Sequence, residues 1–301
     1  MRIAAFWNRH EGPTWAVAFI LYAAWGLLTW FYQALPLWFA APAGAWLVAW
    51  HGSFQHETIH GHPTKSPPIN EALAFPALGL FFPYRLYRKS HLRHHNDERL
   101  TFPFEDPESY YVPQQHWNAM GPWRKRLLLF YNTLLGRLAI GPLMSVSSMI
   151  ADEIRHIRNG DTTRVKDWAL HVPASALVLI WTGPVCGIPF LSYLAFFAYP
   201  GLSLVMLRSF AEHRAVENVG ERTVIVRTTP WMRLLYLNNN FHSVHHDYPR
   251  LPWYKIPARY RAHQERFLNA NGHYFFSSYG EQFRRFLFRP KEMPVHPQAR
   301  G

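Results

Sequence analysis

The chain has 301 residues, 49% of them hydrophobic and 17% aromatic, with a formal net charge of +12 and a pI near 9.9. That apolar content excludes a disordered chain, and a single cysteine, Cys186, excludes internal disulfides and cysteine-held zinc or iron–sulfur sites. Mean hydropathy is only −0.17, yet the apolar residues gather into long blocks with the charges outside them, the pattern of a membrane protein. Lys and Arg flank those blocks without any nucleic-acid motif, so the charge reads as a positive-inside bias and attraction to anionic lipid, and nucleic-acid binding is not expected.

Taken in order, the first apolar block gives a span at about 15–32, close to the ~20 residues that cross a bilayer. A cleaved signal peptide is the competing reading, disfavoured because the run leads straight into a second apolar block. That block, about 35–52, is the returning span, and its continuation carries His51, His56 and His60. Residues 71–84 are apolar but short and broken by Pro76, which suits a re-entrant or interfacial segment. The stretch 127–150 is interrupted by Arg137, Gly141 and Pro142 and is expected to be a surface-lying or half-buried helix.

A second hairpin follows, with spans at about 168–183 and 189–210 joined by an uncharged turn. Both inter-helix turns lack Lys and Arg, whereas the N-terminus, the middle segment and the C-terminal segment are basic. The expected fold is therefore all-α and integral to the membrane: four transmembrane helices in two hairpins, both termini cytoplasmic, and a cytosolic helical cap from 56–166 and 211–301 in one domain.

Histidine is the outlier at 18 residues. Gln55-His56-Glu57-Thr58-Ile59-His60 is literally H-E-x-x-H, the zinc-peptidase pattern with Glu57 as general base; alternatively, the two imidazoles at i and i+4 belong to a larger metal site. Two further clusters repeat one spacing, His91-x-x-His94-His95 and His242-x-x-His245-His246. Histidine content alone predicts well under one such triplet. On a helix, i, i+3 and i+4 share a face, so each triplet is expected to aim three imidazoles at one point. His213 emerges at the cytoplasmic end of the fourth span, at the depth of the other clusters. Nine imidazoles exceed what one zinc uses and suit two metal ions with open positions for oxygen or water. His62 and His51 are expected to support ligands rather than bind metal, and Glu57 and Glu212 to orient imidazoles. A His-rich metal transporter is the reading from another class; it needs ligands near the bilayer midplane, and these lie at one end of the spans.

This order of three histidine boxes on a basic, four-span chain resembles the membrane fatty acid desaturase superfamily, which includes acyl desaturases, fatty acid hydroxylases and carotenoid ketolases. The resemblance runs from about Trp15 to Pro257. It implies a non-haem centre of two iron ions, cycling between Fe2+ and Fe3+, held by His56, His60, His91, His94, His95, His213, His242, His245 and His246. It also implies O2 as co-substrate, a lipid acyl substrate, and electrons from a separate donor of ferredoxin, rubredoxin or cytochrome b5 type, since no His-Pro-Gly-Gly haem motif is present. Acyl-CoA desaturases place an Asn one turn before the isolated histidine to hold a water; Ser209 stands there. The lead-in Asn238-Asn239-Asn240-Phe241 is similar to that of acyl desaturases and favours a lipid acyl substrate; desaturation is the expected reaction, with hydroxylation or ketolation the alternative on the same metal site.

Overall fold

The computed structural model describes residues 7, 10–95 and 97–299. Its helices are α1 (Gly12–Trp30), α2 (Leu37–Ile59), α3 (Pro67–Ala74), α4 (Tyr84–His94), α5 (Gln114–Ala119), α6 (Pro122–Tyr131), α7 (Leu134–Arg158), α8 (Thr162–Val185), α9 (Phe190–Glu212), α10 (Pro230–Leu235), α11 (His242–Asp247), α12 (Ile256–Ala262), α13 (Gln264–Ala270) and α14 (Tyr279–Phe286). Two short strands, β1 (Ile225–Val226) and β2 (Phe275–Phe276), pair in parallel, Ile225 opposite Phe275. Proline opens several helices at the first turn, where its missing N–H costs nothing, as in α1, α3, α6 and α10.

Among the described residues, four helices are long and apolar enough to cross a membrane: α1, α7, α8 and α9. Three match expected spans. α7, expected to lie on the surface, also qualifies, because Arg137 sits in its first turn and its remaining charges gather in its last two, leaving an uncharged stretch between. α2 is not one of the four. It is long enough at 23 residues, but its second half carries His51, Ser53, Gln55, His56 and Glu57.

The chain divides into two compact units, Met1–Arg88 with Leu143–Val205, and Lys89–Pro142 with Met206–Gly301. In the first, apolar helices are tied by polar side chains, which an apolar surround leaves without competing water. Trp25 Nε1 donates to Tyr193 Oη (3.3 Å), whose own hydroxyl donates to Leu78 O (2.9 Å). Trp181 Nε1 donates to Thr29 Oγ1 (2.9 Å), and Tyr22 donates to Leu73 O (2.6 Å). Two glycines let α2 and α9 approach closely: a Cβ on Gly44 would stand 2.3 Å from the Phe197 ring, and one on Gly201 would stand 2.6 Å from Val48 Cβ.

The second unit is built around β1 and α11. Ile225, Phe241, Val244, Ile256, Tyr260 and Phe267 form its buried apolar cluster, so the six-residue α11, too short to persist alone, is held by packing.

The glycine contacts are testable by thermal unfolding in detergent. Gly201→Ala should destabilise by about 1–3 kcal/mol, the usual cost of overpacking. Gly26→Ala meets nothing within 4 Å and should be neutral or stabilising.

Candidate metal centre

α4 brings His91 and His94 into the second unit, His95 follows directly, α11 brings His242, His245 and His246, and His213 follows the last residue of α9. Six of these seven are buried or nearly so, and His95 is half-buried. Their imidazoles form two groups. In the first, Nε2 of His213 lies 3.0 Å from that of His94 and 2.9 Å from that of His242, which is 3.1 Å from that of His246. In the second, Nε2 of His95 lies 3.1 Å from those of both His91 and His245.

Each triplet therefore divides instead of aiming at a single point. The i and i+4 members stay together, His91 with His95 and His242 with His246, while the i+3 member crosses to the other group. The reason is angular: at 100° per residue, i+3 and i+4 fall on opposite sides of i. The two triplets interleave, each giving two ligands to one group and one to the other.

Two nitrogens each about 2.1 Å from a common ion, at near-right angles, stand about 3 Å apart. The observed separations are of that size. Three of the other ring nitrogens are committed outward. His94 Nδ1 meets Asp106 Oδ1 (2.8 Å), His91 Nδ1 meets Glu108 Oε1 (2.9 Å), and His242 Nδ1 meets Asn239 Oδ1 (3.0 Å) and Glu212 Oε1 (3.3 Å). In a neutral imidazole, an acceptor at Nδ1 places the proton there and leaves Nε2 as an inward lone pair, the tautomer a metal needs. Converging lone pairs in a buried space repel unless a cation lies between them, so the residues fit a metal.

Electrostatics follow the same arrangement. Burial pushes the His91 imidazole down. Burial, then neighbouring imidazoles, push His213 and His242 well below the ordinary value, keeping them neutral. Burial also opposes a charge on His94, but Glu108, Asp106 and Glu212 outweigh it and raise His94 to about 9. Metal binding at His94 must therefore displace a proton. Glu108 is held well below the usual carboxylate range because His94 and His91 outweigh its burial.

Several supports place these groups. Asp106 is fixed by Thr101 N (2.8 Å) and Glu108 N (2.9 Å). The three asparagines before α11 are each used differently. Asn238, in the left-handed region at φ 59°, donates to Trp253 O (2.9 Å), Asn239 donates to Glu212 (3.2 Å) and Asn240 donates to Val226 O (2.7 Å). Glu212 also pairs with Arg208 (2.8 Å). The buried Lys291 ammonium, paired with Glu292 (3.0 Å), donates to Phe210 O (2.9 Å) and to His213 O, capping the last carbonyls of α9.

In the first unit, His56 and His60 stand side by side at the end of α2, both buried, with ring centroids 4.9 Å apart. His62 Nδ1 meets Glu11 Oε1 (3.0 Å); burial opposes its charge, but Glu11 and Glu57 raise it. Ser209 donates to Met206 O in its own helix (3.3 Å). Sequence reasoning missed Asp106, Glu108 and Lys291. The first two carried a signal, an acidic pair in the Asp106-Pro107-Glu108 turn soon after a histidine box; Lys291 carried none.

Replacing Asp106 by Asn should weaken metal retention about 10–100-fold, the usual effect of losing a carboxylate behind a ligating imidazole. Chelator titration followed by metal analysis reads this, with the exposed Asp152→Asn as a control that should not shift.

Among known proteins, the chain matches the fatty acid desaturase family over residues 32–278. It is also 24% identical over 256 residues to the chloroplastic omega-6 fatty acid desaturase of Brassica napus, an alignment covering 76% of this chain and 55% of that protein. This chain thus spans about half the length of that relative. The family match takes in the two triplets, His213 and the His56–His60 pair, and on that basis the chain belongs to the fatty acid desaturase family.

Proposed function

We propose that this protein is an O2-dependent di-iron oxidoreductase of the membrane that desaturates a lipid acyl chain. The observation that carries the reading is the pair of interleaved imidazole groups, each with Nε2 atoms about 3 Å apart, as around a first-row metal ion. His94, His213, His242 and His246 hold one ion. His91, His95 and His245 hold the other, and His56 and His60, the first histidine box of the sequence, complete its ligands.

The irons, when bound, supply the O2 chemistry that an unactivated C–H bond requires. The balance is that a –CH2–CH2– unit gives up two hydrogens, a donor protein gives two electrons, the solvent gives two protons, and one O2 becomes two waters. The chain's own residues do the rest. Asp106, Glu108, Glu212 and Asn239 fix imidazole orientation and tautomer from behind, and apolar helices exclude water and set which carbons approach the metals. The electron donor is a separate protein of ferredoxin, rubredoxin or cytochrome b5 type.

In the membrane, α1 with α2 and α8 with α9 form the two hairpins, with termini and histidines on the cytoplasmic side. The support is the lack of Lys and Arg in residues 31–36 and 183–189 against the basic segments elsewhere. A zinc peptidase would use His56, Glu57 and His60 and leave both triplets without a role.

Lipid extracts of a host expressing the protein, compared by mass spectrometry with a host expressing His242→Ala, test the activity. Acyl chains lighter by two hydrogens, present only with the unsubstituted protein, are expected. Chains heavier by one oxygen atom would replace desaturation with hydroxylation. Unchanged lipids alongside proteolysis abolished by Glu57→Gln would overturn the reading.

A further inference from the structure

Arg137 interrupts an apolar stretch and has no part in the metal centre. Its side chain is only 2% exposed. The guanidinium is sandwiched between the rings of Tyr110 and Tyr131, its carbon 4.1 Å from each centroid, with Phe210 at 5.8 Å. Its Nε donates to Tyr131 O at 3.4 Å, and Nη2 has no hydrogen-bond partner among the described residues. Nor does a described carboxylate pair with it: Glu292, which accepts from Tyr110 Oη (3.2 Å), is engaged by Lys291 and Tyr111. Gly141, one turn along α7, leaves room for the Arg137 stem; a Cβ there would stand 3.3 Å from Arg137 Cδ.

A buried guanidinium without a counter-charge is expensive, and stacking offsets only about 2 kcal/mol of that cost. Stacked on both faces, it is held in place, and its unpartnered Nη2 belongs to the fork that matches a carboxylate or phosphate. An arginine at the end of an apolar, membrane-length helix ordinarily reaches out to the interface, whereas this one is turned inward and buried, as functional charges in membrane helices are. Arg137 lies in the first turn of α7, next to the exposed Leu135 and one turn and a half before the exposed Leu143. The preceding helix α6 offers Arg124, Arg126 and the exposed Trp123, with the Arg126 guanidinium over the Trp123 ring. Cations and Trp beside an apolar surface are what the headgroup level of a bilayer favours.

We propose that the Arg137 fork, walled by Tyr110 and Tyr131, binds the anionic oxygen group of an acyl lipid. The group is a carboxylate or a phosphate, held at the polar end of the chain that the metal centre acts on. This identity of the occupant rests on the lipid reading above, whereas the binding itself requires neither metal nor turnover. Phe210, which closes the third side, precedes His213 by three residues, so the anchor and a metal ligand share one helix end.

The test is thermal unfolding of the purified full chain in neutral detergent, titrated with oleate, methyl oleate, phosphatidylglycerol, phosphatidylcholine or inorganic phosphate. Oleate should bind at least about tenfold more tightly than its uncharged methyl ester, the worth of one charge-assisted pair. That preference should vanish in Arg137→Gln and survive in part in Arg137→Lys, which keeps the charge but not the fork. A like preference for phosphatidylglycerol over phosphatidylcholine identifies the phosphate as an accepted group. Equal binding of oleate and methyl oleate would overturn the proposal, as would a charge preference unchanged in both variants or a shift produced by inorganic phosphate alone. Should Arg137→Gln fail to fold, the ester comparison on the unsubstituted chain and Arg137→Lys still decide. A chain that binds oleate through Arg137 but desaturates nothing would refute the activity and leave this site standing.

Discussion

The fold of the second unit depends on an interaction that is unfavourable by itself: buried imidazoles whose Nε2 atoms face one another about 3 Å apart. Lone pairs at that distance repel, and burial removes the water that would otherwise solvate them. Protonation would relieve one contact but leave a buried cation beside other imidazoles, and burial first, then those neighbours, push His213 and His242 toward neutrality. A metal ion in each group would resolve the conflict by taking that group's lone pairs at once. Metal affinity and the folding of this unit are then one quantity seen twice.

The arrangement is supported from behind at His91, His94 and His242. Asp106 and Glu108, on the turn that follows α4, fix the second box, while Glu212 and Asn239 fix His242. Glu212 is itself shared with Arg208 and Asn239, so α9 and the lead-in to α11 are joined through one carboxylate. Lys291 closes the far end by satisfying carbonyls that α9 would leave unpaired beside His213. Segments distant in sequence, near residues 94, 106, 213, 242 and 291, thus meet within one small volume. No single helix could form this site.

Much of this was legible in the sequence, and the reasons differ by element. The triplets were legible because i, i+3 and i+4 spacing fixes direction locally, though it could not show that the i+3 imidazole crosses to a neighbouring group. Spans α1, α8 and α9 were legible because an uncharged run of sufficient length admits few alternatives. α7 was read as surface-lying because Arg137, Gly141 and Pro142 look like interruptions; Pro142 is absorbed inside the helix and Arg137 sits in its first turn, so the helix also has the length and apolar run of a span. Asp106 and Glu108 left only an acidic pair soon after a histidine box as their signal, and Lys291 left none, because their roles come from tertiary placement. Arg137 read as a flaw in an apolar run, and its aromatic sandwich emerges only when Tyr110, Tyr131 and Phe210 are brought together.

The central claim is that the histidines make two metal positions and that the metal is iron. Metal analysis of protein purified without added metal tests it most directly, counting iron and zinc per chain in the unsubstituted protein and in His94→Ala. The account predicts about two irons per chain and a fall in iron with His94→Ala. A single zinc per chain, retained in His94→Ala, would contradict it.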